Sequence, residues 1–168
     1  MADAGIRTLI VLRHAKAAQV PGLDDRERPL TDRGEADARR VGETLLALEL
    51  RPDLVLCSPS VRTRRTAELA LAALAPDAPV EFERDIYQAY ASELLELVRR
   101  TGPEVRTLLL VGHNPGVHEL VMDLIGHDGD PGFSPGAFAV IESTGPWHDL
   151  RGGTAVTLWS PKPHERPR

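Results

Sequence analysis

Thr8-Leu9-Ile10-Val11-Leu12-Arg13-His14-Ala15-Lys16 begins as an unbroken apolar run and ends on a cation and an imidazole. A short continuous run of Leu, Ile and Val fits a strand buried on both faces, as in parallel sheets. The abrupt change at Arg13-His14 marks the point where that strand leaves the core. An imidazole placed there can attack, shuttle protons or bind a metal near neutral pH. A guanidinium beside it can grip an anion with a planar fork of donors.

Working outward, Ala17 to Pro29 carries Pro21, Gly22 and several charges, and reads as a loop over the end of the first strand. Asp32, with Glu35 three residues on, has the form of a capping box. The helix it opens shows Val41, Leu45 and Leu48 on one face and ends by Pro52. Asp53 to Cys57 is a second apolar strand, and Ser58-Pro59 has the N-cap-then-proline form of a helix start. That helix runs to about Leu74 and carries Arg62 in its first turn. Val80 to Phe82 reads as a short strand, Glu83 to Ala91 as a loop or partial helix, and Ser92 as the cap of a helix broken at Gly102-Pro103. Thr107 to Val111 is a third buried strand and leads into Gly112-His113-Asn114-Pro115-Gly116. Asn114-Pro115 repeats the cap-then-proline form. Val117, Leu120, Val121, Leu124 and Ile125 then give the clearest helical periodicity in the chain. Residues 126–136 read as a rim loop, and Ala137–Glu142 and Thr154–Trp159 as two further strands.

The alternation of strands and helices implies an α/β fold, a three-layer sandwich with a mostly parallel central sheet and helices on both faces. The 168 residues suffice for one domain over 1–168, with flexible ends expected at 1–5 and 161–168. Net charge is −5, with no basic stripe interleaved with aromatics, which argues against nucleic acid as a partner. No apolar stretch is long enough to span a bilayer, and no signal-peptide core precedes the first strand. A cytoplasmic monomer is the default expectation. Cys57, the single cysteine, reads as a small buried hydrophobe.

Ligands of such sheets gather outside the carboxyl ends of the strands. Here those ends carry Arg13-His14, then Ser58 with Arg62 one turn on, then Gly112-His113. Two helix N-termini open at the same place, and their free N–H groups favour an anion. Gly112 is expected to admit a close backbone approach to a ligand. The chemistry this set supports is phosphoryl transfer, which needs positioning and charge stabilisation around the phosphoryl oxygens. His14 is the candidate nucleophile, with Arg13, Arg62 and a protonated His113 as donors to the phosphoryl group. No metal and no cofactor are called for, since the cations supply the electrostatics.

Leu12-Arg13-His14-Ala15, Arg28-Pro29-Leu30-Thr31-Asp32-Arg33-Gly34, Ser58 to Ala67 and Gly112-His113-Asn114-Pro115 follow one another in this order. In that order the chain resembles the histidine phosphatase superfamily, whose fold is phosphoglycerate mutase-like. Within it the chain is similar to the SixA-type phosphohistidine phosphatases. The resemblance implies His14 as nucleophile, Arg13 and Arg62 as phosphate clamps and His113 as the second pocket histidine. It implies a phosphorylated substrate, one candidate being a phosphohistidine-bearing protein. The family's first motif commonly reads Arg-His-Gly, and here Ala15 takes the third place. Larger members carry a glutamate acid where this chain has Tyr87-Gln88, with Glu83 and Asp85 nearby. Lack of that acid fits a leaving group such as imidazole better than a sugar alkoxide.

Lys16, Arg28, Ser58 and Asn114 are further candidates for substrate binding. Arg64 and Arg65 are expected at the surface. His113 and His118 are five apart and share no helix face, so they do not form a zinc pair. Asp123, Asp128 and Asp130 lack calcium-loop spacing, and His118, His127, His148 and His164 are expected to be solvated or locally bonded. Trp147 and Trp159 are expected in the core or at its rim. Two alternatives stay open: a small-molecule phosphomonoesterase, and a module that binds phosphate with negligible turnover.

Overall fold

The computed structural model describes residues 5–126, 129–130 and 132–161. Most of the expected flexible ends, together with His127, Asp128 and His164, lie outside the described residues. The elements in order are β1 (Ile6–Arg13), α1 (Asp32–Ala47), β2 (Leu54–Cys57), α2 (Val61–Leu74) and β3 (Val80–Phe82). They are followed by α3 (Ala91–Arg99), β4 (Thr107–Gly112), α4 (Gly116–Ile125), β5 (Phe138–Thr144) and β6 (Thr154–Trp159). They build one six-stranded sheet in the order β3-β2-β4-β1-β5-β6. The first four of these strands are mutually parallel, while β5 and β6 join antiparallel at one side. The sheet is therefore mixed and mostly parallel.

The side-chain alternation of β1 shows why its run is apolar on both faces. Leu9 and Val11 enter a core built with α3 and α4, and Ile10 and Leu12 enter one built with α1 and α2. Leu108 and Leu110 of β4 join the first core, and Leu109 and Val111 the second. Two helices thus cover each face, which gives the three layers.

Several helix starts differ from the sequence expectation, for a shared reason. Thr31 caps α1, its Oγ1 accepting from Gly34 N at 3.0 Å, while Glu35 reaches outward to Arg65. Ser60 occupies the N-cap position of α2, and Pro115 that of α4, after a cis Asn114-Pro115 peptide bond. Ser58 and Asn114 do not cap because tertiary partners take their side chains: the His113 ring and the Phe133 carbonyl. Tyr90 rather than Ser92 precedes α3, with Glu93 accepting from Tyr90 N. Leu48 lies past the end of α1 and is exposed, unlike Val41 and Leu45.

Candidate active site

Strand register brings the site together before any side chain is considered. β1 and β4 are neighbours, and Arg13 stands opposite Gly112. β2 lies on the other side of β4, with Cys57 opposite Val111. The next residues of all three strands, His14, Ser58 and His113, therefore emerge side by side. The His14 amide donates to Gly112 O at 3.1 Å, and the Ser58 amide to Val111 O at 3.1 Å. The rings of His14 and His113 lie 5.3 Å apart, centroid to centroid.

Hydrogen bonds assign each ring a tautomer. His14 Nδ1 lies 2.7 Å from Ala15 O, and a carbonyl only accepts. Nδ1 therefore carries the proton, and Nε2 keeps its lone pair. His113 Nδ1 lies 3.3 Å from the Arg62 guanidinium, which only donates, so this nitrogen is an acceptor. His113 Nε2 then donates to Ser58 Oγ at 2.8 Å. Burial, followed by the Arg62 charge, lowers the His113 pKa to about 3. Burial also lowers that of His14 to about 4, with Arg62 and Arg13 acting in the same direction. In the resting site His113 is a neutral ring beside a guanidinium.

The arginines come from two directions. Arg13 donates to Phe133 O at 3.0 Å, and Arg62 rises from the first turn of α2 with its side chain buried. The Nε atoms of both are buried without a hydrogen-bond partner among the described residues. Thr66, one turn beyond Arg62, accepts from Ala15 N at 3.0 Å and donates to Arg62 O at 2.7 Å. This buried hydroxyl locks α2 to the segment that carries His14.

The other candidate residues are distributed less directly. Ser58 is fully buried behind His113 and orients that ring. Asn114 lines the hollow that also holds Arg62, Tyr87 and His113, and its Nδ2 donates to Phe133 O. Arg28 braces the loop over the site, donating to Ala18 O and to Asp25 Oδ1, both at 3.0 Å. Lys16 lines a different hollow, with Arg33, Asp37 and Ser134. Gly112 makes room for packing rather than for a ligand, since a Cβ there would lie 2.8 Å from Val117 and 3.1 Å from Ile86. Arg65 pairs with Glu35 and Glu68, and Arg64 lies over Phe82, both away from the imidazoles. His118 bonds Asp130 and stacks on Phe133, and His148 bonds Asp149. Trp147 is buried, and Trp159 stacks on Phe138.

Asp25 at the site escaped the sequence reading, and Tyr87, read only as standing where larger relatives carry an acid, is its partner. Asp25 accepts from Arg62 Nη2 at 2.9 Å and from the Tyr87 hydroxyl at 2.5 Å. Tyr87 meets the His113 ring edge-on at 5.3 Å. Hydrogen bonds from Tyr87, Arg28 and Arg62 hold the Asp25 carboxyl well below the usual carboxylate range. The Tyr87 phenol is pushed up by Asp25. The available signal was the acidic pair Asp24-Asp25 in a loop expected to lie over a cationic pocket.

Residues 9–90 match the model of the histidine phosphatase superfamily (branch 1). An uncharacterized protein of Mycobacterium tuberculosis is 35% identical over 156 residues, 88% of this chain and 96% of the relative. The structure of a putative phosphohistidine phosphatase SixA from Nakamurella multipartitia is 32% identical. It superposes with a TM-score of 0.83 over 95% of this chain and 98% of its own. The corresponding Agrobacterium tumefaciens structure is 28% identical, with a TM-score of 0.82 over 92% and 98%.

Proposed function

Since the chain belongs to the histidine phosphatase superfamily and is a phosphatase, we propose that it hydrolyses protein phosphohistidine through a phosphorylated His14. One observation carries the proposal: His14, with Nε2 unprotonated, has its ring 5.3 Å from that of His113, which in turn touches the Arg62 guanidinium. His14 Nε2 attacks phosphorus, the N–P bond to enzyme forms, and the bond to the leaving group breaks. When the leaving group is a substrate imidazole protonated on its other nitrogen, it departs neutral and needs no strong acid. Water then attacks the phosphoenzyme, phosphate leaves, and His14 regains its lone pair while the water proton passes to solvent.

Arg13 and Arg62 supply the fixed positive charge, and Ser58 keeps His113 aimed. Arrival of a phosphoryl dianion favours protonation of His113, whose Nδ1 then becomes a donor. The Asp25 carboxyl, bonded to Arg62 and Tyr87, supports an easily departing group as substrate. Asp25 is held in its ionised form, and Tyr87 keeps its proton more tightly than a free phenol. Neither offers a proton readily near neutrality. The two solved structures at 32% and 28% identity are of putative phosphohistidine phosphatases, which agrees with this reading.

The test is a competition among a phosphohistidine peptide, a sugar phosphate and a nucleotide, read as kcat/KM. Preference for the phosphohistidine peptide, lost in His14→Ala, is expected. A wide preference for the sugar phosphate would overturn the assignment of substrate class.

A further inference from the structure

The Arg62 fork is occupied by this chain itself. Its Nη1 donates to the Asp25 backbone carbonyl at 2.5 Å, and its Nη2 to the Asp25 carboxylate at 2.9 Å. Planar pairing of a guanidinium with a carboxylate uses the same donors that would grip a phosphoryl group. Tyr87 and Arg28 complete the seat, so the Asp25 carboxylate accepts from three side chains.

The segment that carries Asp25 is built to leave. Its neck is closed by the Ala17–Leu30 bridge, by Ala18 N to Pro29 O and by Arg28 to Ala18 O. Beyond the neck, every residue from Gln19 to Glu27 is exposed. Asp25, which is half exposed, and Arg26, whose guanidinium lies 4.9 Å over the Tyr87 ring, hold this tip to the body. The core does not depend on the tip.

We propose that Asp25 is a specificity-determining residue: an internal anion seated on Arg62, which the phosphoryl group of the substrate must displace. This rests on the phosphatase reading above and adds a competition that reading does not contain. A small anion, which gains only the contacts of its phosphoryl group, competes poorly with a carboxylate already tethered there. A substrate whose remainder also meets the rim displaces it. Product phosphate, stripped of the rest of the substrate, is therefore expelled by the returning carboxylate.

The test is calorimetric binding of inorganic phosphate and orthovanadate to the intact protein at fixed ionic strength. Wild type is compared with Asp25→Asn, Asp25→Ala and, as a control for general charge, Glu27→Gln on the same exposed tip. Asp25→Asn and Asp25→Ala are expected to bind both anions about tenfold more tightly, the scale of one charge-assisted hydrogen bond at a half-exposed site. Glu27→Gln is expected to leave affinity nearly unchanged. Product inhibition by phosphate should tighten in parallel. Unchanged or weaker binding in both Asp25 variants would overturn the proposal and make Asp25 a support for Arg62. Equal tightening in Glu27→Gln would overturn it in favour of bulk electrostatics. Wild-type turnover measured alongside separates the two claims: turnover with unchanged affinities defeats only the competition, whereas neither turnover nor anion binding in any variant defeats both.

Discussion

The His14 ring presents a lone pair because a backbone carbonyl one residue away fixes its other nitrogen. That arrangement needs no partner side chain, but the Arg-His step alone did not single out His14 in the sequence, which took the Ser58–Ala67 and Gly112–Pro115 segments beside it. His113 is different, because its protonation is set by burial and by Arg62, which no local pattern shows. Ser58 was legible as a candidate, but its bond to the His113 ring was not. Its hydroxyl holds His113, so Ser58→Ala is expected to lower kcat about tenfold, with stability reduced by about 1 kcal/mol. Steady-state kinetics beside a denaturant titration checks both. Arg62→Ala should cost about a thousandfold in kcat/KM, because it removes preorganised charge rather than fold. A loss of tenfold or less would show that Arg13 carries the phosphoryl group without it.

Among the elements, β1, β2 and β4 were readable because buried parallel strands are apolar throughout. Helix starts were less so. Ser58 and Asn114 look like caps, and nothing local reveals that a ring and a distant carbonyl claim them instead. Asp25 stayed hidden for a related reason: a loop acid gains meaning only when tertiary folding sets it against Arg62 and Tyr87. At the start of α1, Gly34 lies so close to the segment after β1 that an added Cβ would sit 2.1 Å from Lys16 O. Because that neighbour is backbone, Gly34→Ala must push α1 away from the His14 segment. We expect a loss of about 2–3 kcal/mol, seen as a lower Tm. An unchanged Tm would mean that the helix start shifts freely.

For the molecule as a whole, the alternation of elements disclosed an α/β sandwich, while the strand order and the antiparallel pair β5–β6 depended on contacts far apart in sequence. Stability against pH is also a property of the whole chain. In the folded state both site histidines lie below the ordinary 6.5, His14 near 4 and His113 near 3. As pH falls from 6.5 to about 4, the unfolded chain binds these protons first, so stability falls with pH across that window. Tm measured from pH 7 to pH 4 should decline, and the slope should be shallower in His14→Gln. An identical slope in the variant would place the titration elsewhere. The most direct measurement is rapid quenching of the enzyme during turnover of an activated aryl phosphate, with alkaline work-up and peptide mass spectrometry. One base-stable, acid-labile phosphoryl group on His14 is expected. A phosphoryl group on any other residue, or undiminished turnover in His14→Ala, would contradict it.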